Sequence, residues 1–154
     1  MAYITNTSIP SGNPTDVDTT AKYPMLTQVK DSDGNTLIYL TGVASVVLGT
    51  FVTYDELGIT TRLAANAIGP VAIALAATVA SRYGFFLIEG SGLGNVSAAF
   101  ADNGNVYATA TAGEVDDAVV AGDRVKNCIG RSAIASGKAT MQVHSPYMDD
   151  GLSA

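Results

Sequence analysis

Two side chains in this sequence are of types used in nucleophilic catalysis: Cys128 and His144, the single cysteine and the single histidine of the chain. A nucleophile needs a base within hydrogen-bond reach and a third group that orients the base. His144 lies in an apparent terminal strand beside Pro146, and Cys128 lies in the apolar run from Val125 to Ile129. We therefore interpret His144 as a surface or packing residue and Cys128 as a small buried apolar residue. We predict no catalytic residue and no enzyme activity.

Metal-binding patterns are also incomplete. One cysteine and one histidine cannot supply a usual zinc ligand set. The segment Asp31–Asn35 resembles the start of a calcium loop, but its glycine comes before Asn35 instead of after it, and position 42 lacks the required glutamate. The pairs Asp116–Asp117 and Asp149–Asp150 are adjacent, so in a strand their side chains point to opposite faces. We predict a hairpin turn at Asp33–Gly34, solvated acidic pairs and no metal site.

A glycine-rich segment, Gly90 to Asn95, follows a predicted strand and invites comparison with a dinucleotide-binding loop. That pattern requires a glycine at position 95, which is Asn95, and a helix after it, where Val96 to Phe100 predicts another strand. We interpret the segment as a flexible glycine turn. No cofactor is predicted.

Composition limits the class of partner. The 154 residues fit one domain, and charged residues make up 14% of them, against about 25% in an average soluble domain. Much of the surface must therefore consist of small and uncharged residues, which suits a protein that lies against neighbours, although an extracellular domain could share it. The net charge is −6 without clustered Lys or Arg, so nucleic acid is not a predicted partner. One cysteine allows no intrachain disulfide.

Membrane insertion is not predicted either. The stretch from Leu63 to Ser81 holds nineteen uncharged residues, but it is rich in alanine, carries Asn66 and is interrupted by Gly69–Pro70. We predict that Val71–Ala76 within it is a buried strand. Residues 1–10 lack the basic residue and the long apolar run of a signal peptide.

The positions of prolines and turn-forming residues divide the chain into two parts. Residues 1–30 hold three of the five prolines and few large apolar groups, so we predict an extended N-terminal arm that adds little to the core. Residues 31–154 are predicted to form a single β domain, because turn signals recur every eight to twelve residues or so, the spacing of a sandwich or barrel. The predicted strands are 37–40, 43–48, 50–54, 59–63, 71–76, 84–89, 95–100, 106–111, 125–134 and 139–144.

An ordered series of short signals between Gly69 and Val143 resembles the tailed-phage capsid decoration family, also called capsid cement or head-stabilising proteins. In that family a buried strand precedes an aromatic-rich strand that ends in glycine, then a strand with a Thr-Ala-Gly turn and a final small hydrophobic strand. The likeness covers about half the chain. The matching segments are PVAIA (70–74), YGFFLIEG (83–90), VYATATAGEV (106–115), Val125 through Gly130 and GKATMQV (137–143).

The resemblance implies a small β-barrel of the β-tulip kind, often a homotrimer, that binds the outside of a mature phage head and bridges capsid subunits. The major capsid protein would be its partner and the capsid exterior of the virion its location. Family members often use an N-terminal arm for capsid contact, which residues 1–30 could provide here. The resemblance implies no catalytic residue in this sequence.

Two other classes remain open from the sequence. Another virion structural β protein, such as a tail-tube or fibre component, should form stacked rings or rods, whereas a decoration protein should stay a small soluble oligomer until capsid is added. A β-barrel enzyme or small-ligand binder should have a deep pocket lined by polar groups.

Overall fold

The computed structural model describes residues 12–149, which form eleven β-strands in one antiparallel sheet and no helix. This confirms the predicted all-β class. The strands are β1 (Val17–Asp18), β2 (Gln28–Lys30), β3 (Thr36–Thr41), β4 (Phe51–Tyr54), β5 (Thr60–Arg62), β6 (Gly69–Ala74), β7 (Tyr83–Asn95), β8 (Asn105–Ala108), β9 (Val115–Asp116), β10 (Arg124–Gly130) and β11 (Lys138–Met148).

The strand order is β2-β3-β7-β6-β11-β10-β8-β9, with β4 paired to β6, β5 to β4 and β1 to β7. The 13-residue strand β7 serves two neighbours in turn: its first half pairs with β3 and its second half with β11. Strand β6 pairs with both β7 and β11, so these three strands are mutually hydrogen-bonded. An isolated parallel bridge between Val96 and Val115 brings β9 beside the end of β7.

Glycine allows β7 to change partners. Gly90 has a φ of 118°, in the region that glycine alone adopts without strain, and a Cβ there would lie 2.0 Å from Oδ1 of Asn35. The segment Gly90–Asn95 continues strand β7 and pairs with β11, so the prediction of a flexible turn there is wrong. Glycines inside a strand mark a close approach of other groups, which is how Gly92 and Gly94 are used.

The central strands are buried on both faces. Leu37 and Tyr39 of β3 pack into the larger of two apolar clusters, whereas Ile38 and Leu40 pack into the smaller one. Strands β6 and β7 alternate in the same way, because successive side chains of a strand point to opposite faces. The smaller cluster consists of Ile38, Leu40, Val46, Val52, Ala72, Ala74, Phe86 and Ile88.

The N-terminal segment is joined to the sheet from residue 17 onward. Val17–Asp18 pairs with β7, Gln28–Lys30 pairs with β3, and Val29 is buried. The ring of Tyr23 packs edge-on against Tyr39 at 5.2 Å between centroids. The expectation that this segment adds little to the core is wrong for Tyr23 and Val29; residues 1–11 lie outside the described residues.

Two predicted strands are absent. Residues 43–48 form turns in which Val46 alone is buried, and Ser45 has a φ of 66°, in the left-handed region that strand residues avoid outside bulges. β-Branched side chains there favoured a strand, but the local backbone does not continue the ladder. The strand predicted over 95–100 ends at its first residue, since the N–H of Phe100 closes a turn onto the carbonyl of Ser97.

Candidate binding surfaces

Cys128 and His144 lie on opposite faces of the sheet. Cys128 is paired with Val143, and both side chains are buried, whereas the next residue, His144, is 77% exposed. Burial raises the pKa of the Cys128 thiol to about 12, so it stays protonated at neutral pH. These two residues therefore do not form a nucleophile–base pair, and the predicted positions of both, surface for His144 and core for Cys128, are confirmed.

His144 instead faces Glu89 across the β7–β11 ladder. Its Nδ1 lies 2.9 Å from Oε1 of Glu89, while Oε2 of the same carboxylate accepts a hydrogen bond from the Thr36 hydroxyl at 3.3 Å. Lys30 Nζ in turn donates to that hydroxyl at 3.1 Å. Exposed pairs of this kind contribute about 0–1 kcal/mol to stability, so the cluster is a modest tie between strands.

This cluster borders an open groove of about 620 Å³ over the β7–β11 ladder, which we call the polar groove. Arg131, at one side, donates from Nε to Gln142 at 2.7 Å and from a terminal nitrogen to Asn103 at 3.1 Å. Arg131 and His144 are thus each engaged with a neighbouring side chain of the groove. The groove is lined by Asp33, Gly34, Asn35, Glu89, Gly90, Ser91, Arg131, Gln142, Val143 and His144.

The acidic motifs have structural uses. Oδ1 of Asp31 accepts hydrogen bonds from the N–H groups of Asp33 and Asn35, each at 2.9 Å, which closes the predicted hairpin turn between β2 and β3. Asp117 accepts a hydrogen bond from the N–H of Ala101 at 2.9 Å, and Asp149 forms an ion pair with Lys126. Residues 12–149 contain no group of three or more His, Cys, Asp or Glu side chains that could hold a metal ion.

One ionisable network joins two buried residues, Asp18 and Tyr39, to the exposed side chain of Lys22. The Tyr39 hydroxyl donates to Oδ2 of Asp18 at 2.7 Å and accepts a hydrogen bond from the N–H of Lys22 at 3.2 Å, and Lys22 Nζ lies 2.5 Å from Oδ1 of Asp18. Burial opposes ionisation of Asp18, but the hydrogen bonds from Lys22 and Tyr39 outweigh it and lower the pKa of that carboxyl. Burial raises the pKa of Tyr39 to about 12. The network fastens the N-terminal segment to β3.

A second groove, of about 510 Å³, is more apolar and was not predicted. We call it the Ile68 groove. Three separate parts of the chain form it: the turn before β2, the β4–β5 hairpin and the start of β6. Its lining residues are Leu26, Tyr54, Asp55, Glu56, Ile68, Gly69 and Pro70.

Ile68 is 69% exposed and stands beside this groove, where the sequence had suggested no surface feature. Tyr54 is only partly buried, and burial raises the pKa of its hydroxyl, which therefore remains a hydrogen-bond donor at neutral pH. The sequence signal that could have marked this site is a large apolar residue, Ile68, directly before the turn-forming pair Gly69–Pro70. Other exposed large apolar residues are Val17, Val47, Leu48, Leu57, Ile59, Val79, Leu93, Val119, Val120, Ile129 and Tyr147.

Within residues 12–149 no helix is long and apolar enough to cross a membrane. No protein-family model matches the chain, and no curated protein sequence matches it.

Proposed function

We propose that this chain is a capsid decoration protein, which binds the outside of a mature phage head and bridges neighbouring subunits of the major capsid protein. In this proposal it acts as a homotrimer, and its sheet belongs to a small barrel of the β-tulip kind. It has no catalytic role and needs no cofactor.

The observation that carries the proposal is the order of the segments that resemble the family. PVAIA lies in β6, YGFFLIEG begins β7, VYATATAGEV runs from β8 to β9, and the last two segments lie in β10 and β11. All of them belong to one sheet, and each contributes buried residues to the larger apolar cluster. The shared sheet of these five segments supports the resemblance, which was drawn from the sequence.

Surface chemistry supports binding over catalysis. Cys128 and His144 face apart, and in the polar groove His144 pairs with Glu89 and Arg131 with Gln142. In contrast, large apolar residues such as Leu57, at 63% exposure, and Ile68 stand in solvent. Exposed apolar groups among few charges favour attachment to another protein surface.

Electron cryomicroscopy of phage heads tests the proposal. Mature heads of the phage that encodes this chain, prepared without the chain and then mixed with the purified protein, should gain density on the outer surface at repeating positions. Immature heads and DNA-free tails serve as controls. Density confined to tails, or rods formed by the protein alone, would assign it to a tail-tube or fibre; no density on either would overturn the proposal.

A further inference from the structure

The Ile68 groove is held in shape before any partner arrives. Oδ1 of Asp55 accepts hydrogen bonds from the N–H groups of Leu57 and Ile59, each at 2.9 Å, which fixes the β4–β5 hairpin at one wall. At the other wall, the N–H of Leu26 donates to the carbonyl of Tyr39 at 2.9 Å. A site that is already ordered loses little conformational freedom when it binds.

The floor of the groove is continuous with the core. Leu26 and Tyr54 pack against the smaller apolar cluster from outside and are each only partly buried. Ile68 and Pro70 project beside them and are exposed. An apolar side chain placed in the groove would therefore extend the existing cluster and cover these residues.

The charge of the groove is of one sign. Among the residues that line it, Asp55 and Glu56 carry charge and both are acidic. Asp55 is committed to the hairpin turn, whereas Glu56 is exposed at the rim. The complement of this groove is an apolar side chain next to a lysine or arginine.

We infer that the Ile68 groove receives an apolar side chain flanked by lysine or arginine from the capsid shell protein. The inference rests on the proposed function, and it adds the face of the molecule that meets the shell and the chemistry of the shell segment. Aromatic and large apolar anchors in such pockets dominate binding, while the surrounding rim excludes water.

The test compares variants in their attachment to purified mature heads, measured by co-sedimentation over a range of protein concentrations. Ile68→Asp should weaken attachment at least about tenfold, because it places a carboxylate where an apolar contact forms. Glu56→Lys should weaken it about threefold or more, and raising the salt concentration should weaken the wild type more than Glu56→Lys. Ile68→Ser is a milder variant should the aspartate disturb folding.

Matched controls are exposed residues of the same type that lie outside the groove. Val119 is 73% exposed, similar to Ile68, and Asp102 is an exposed acid like Glu56, yet neither lines the groove. Val119→Asp and Asp102→Lys should bind heads as the wild type does.

The outcomes separate the two proposals. If the wild type does not bind heads, the proposed function fails and this inference falls with it. Should the wild type bind and both Ile68 variants bind equally well, the inference alone is overturned. If Ile68→Asp disrupts the oligomer in solution but not attachment to heads, the occupant is a second copy, which also overturns it.

Discussion

At the scale of single residues, the glycines of β7 decide how closely the sheet can fold over its core. A Cβ at Gly94 would lie 2.6 Å from the ring of Phe51 and 2.8 Å from Met141, and both of these side chains are fully buried. A Cβ at Gly92 would meet the end of the Leu87 side chain at 2.7 Å. The terminal methyl of a leucine can move aside more easily than a buried aromatic ring.

Gly94→Ala should therefore lower the free energy of unfolding by about 1–3 kcal/mol, the usual cost of overpacking a core. Gly92→Ala, the matched control, should cost less than half as much. Urea denaturation monitored by tyrosine fluorescence measures both values. Equal losses in the two variants would contradict the packing argument.

A second residue-scale prediction concerns the buried Asp18. Its folded pKa is lowered, so its stabilising effect is fully present above the pKa of the unfolded state and is lost as pH falls through the folded value. Tyr39→Phe removes one hydrogen bond to this carboxylate and should cost about 1–3 kcal/mol at pH 7.

The pH dependence of the free energy of unfolding tests whether the Asp18 carboxylate is the stabilising group. Unfolding by urea at pH 7 and at pH 3 should show a smaller loss of stability on acidification for Asp18→Asn than for the wild type, with Asp102→Asn as the exposed control. If Asp18→Asn and the wild type lose the same free energy between the two pH values, the carboxylate of Asp18 does not contribute as described.

At the scale of elements, the sequence predicted those strands whose apolar and β-branched residues are continuous. Strands β3, β4, β6 and β8 lie close to their predicted positions for this reason. Strands β7 and β11 are longer than predicted, because Gly90 and Pro146 are usual strand breakers and their tolerance depends on distant partners. A bulge between β10 and β11 accommodates Pro146, with Asn127 and Ser145 at positive φ.

The candidate site was harder to predict than the fold. Leu26, Glu56 and Ile68 lie in separate segments of the sequence, and their segments meet through the strand pairings that run from β2 through β3, β7 and β6 to β4. Register between distant strands depends on contacts that no local pattern encodes. The argument against a cysteine–histidine catalytic pair was easier to make from the sequence, because the chain has a single cysteine and a single histidine.

The pairing of the N-terminal segment yields a prediction for truncation. Removing residues 1–21 deletes β1 and Asp18, so it should lower the melting temperature by about 5–10 °C, given roughly 2–4 °C for each kcal/mol in a chain of this size. Removing residues 1–11 deletes none of the described contacts and should have a smaller effect. Differential scanning calorimetry compares the two; equal melting temperatures would show that residues 12–21 do not stabilise the sheet.

At the scale of the whole molecule, exposed large apolar residues and a low content of charge favour burial of surface between subunits. Closed cyclic symmetry is a general answer, because each subunit covers apolar surface of the next without open-ended growth. A trimer of this 15.7 kDa chain has a mass of about 47 kDa, three times 15.7. The proposed function leads us to expect three subunits, not two or four.

Sedimentation velocity of the purified protein, over a hundredfold range of concentration, should therefore show one species near the mass of a trimer with no larger assemblies. Added salt should not dissociate it, since apolar contacts are screened far less than ion pairs between exposed charges. Leu93→Asp, at an exposed apolar position outside the Ile68 groove, tests whether that face is shared between subunits by shifting the species toward monomer. A stable monomer at every concentration would contradict closed assembly in solution, and rods that lengthen with concentration would favour the tail-tube alternative.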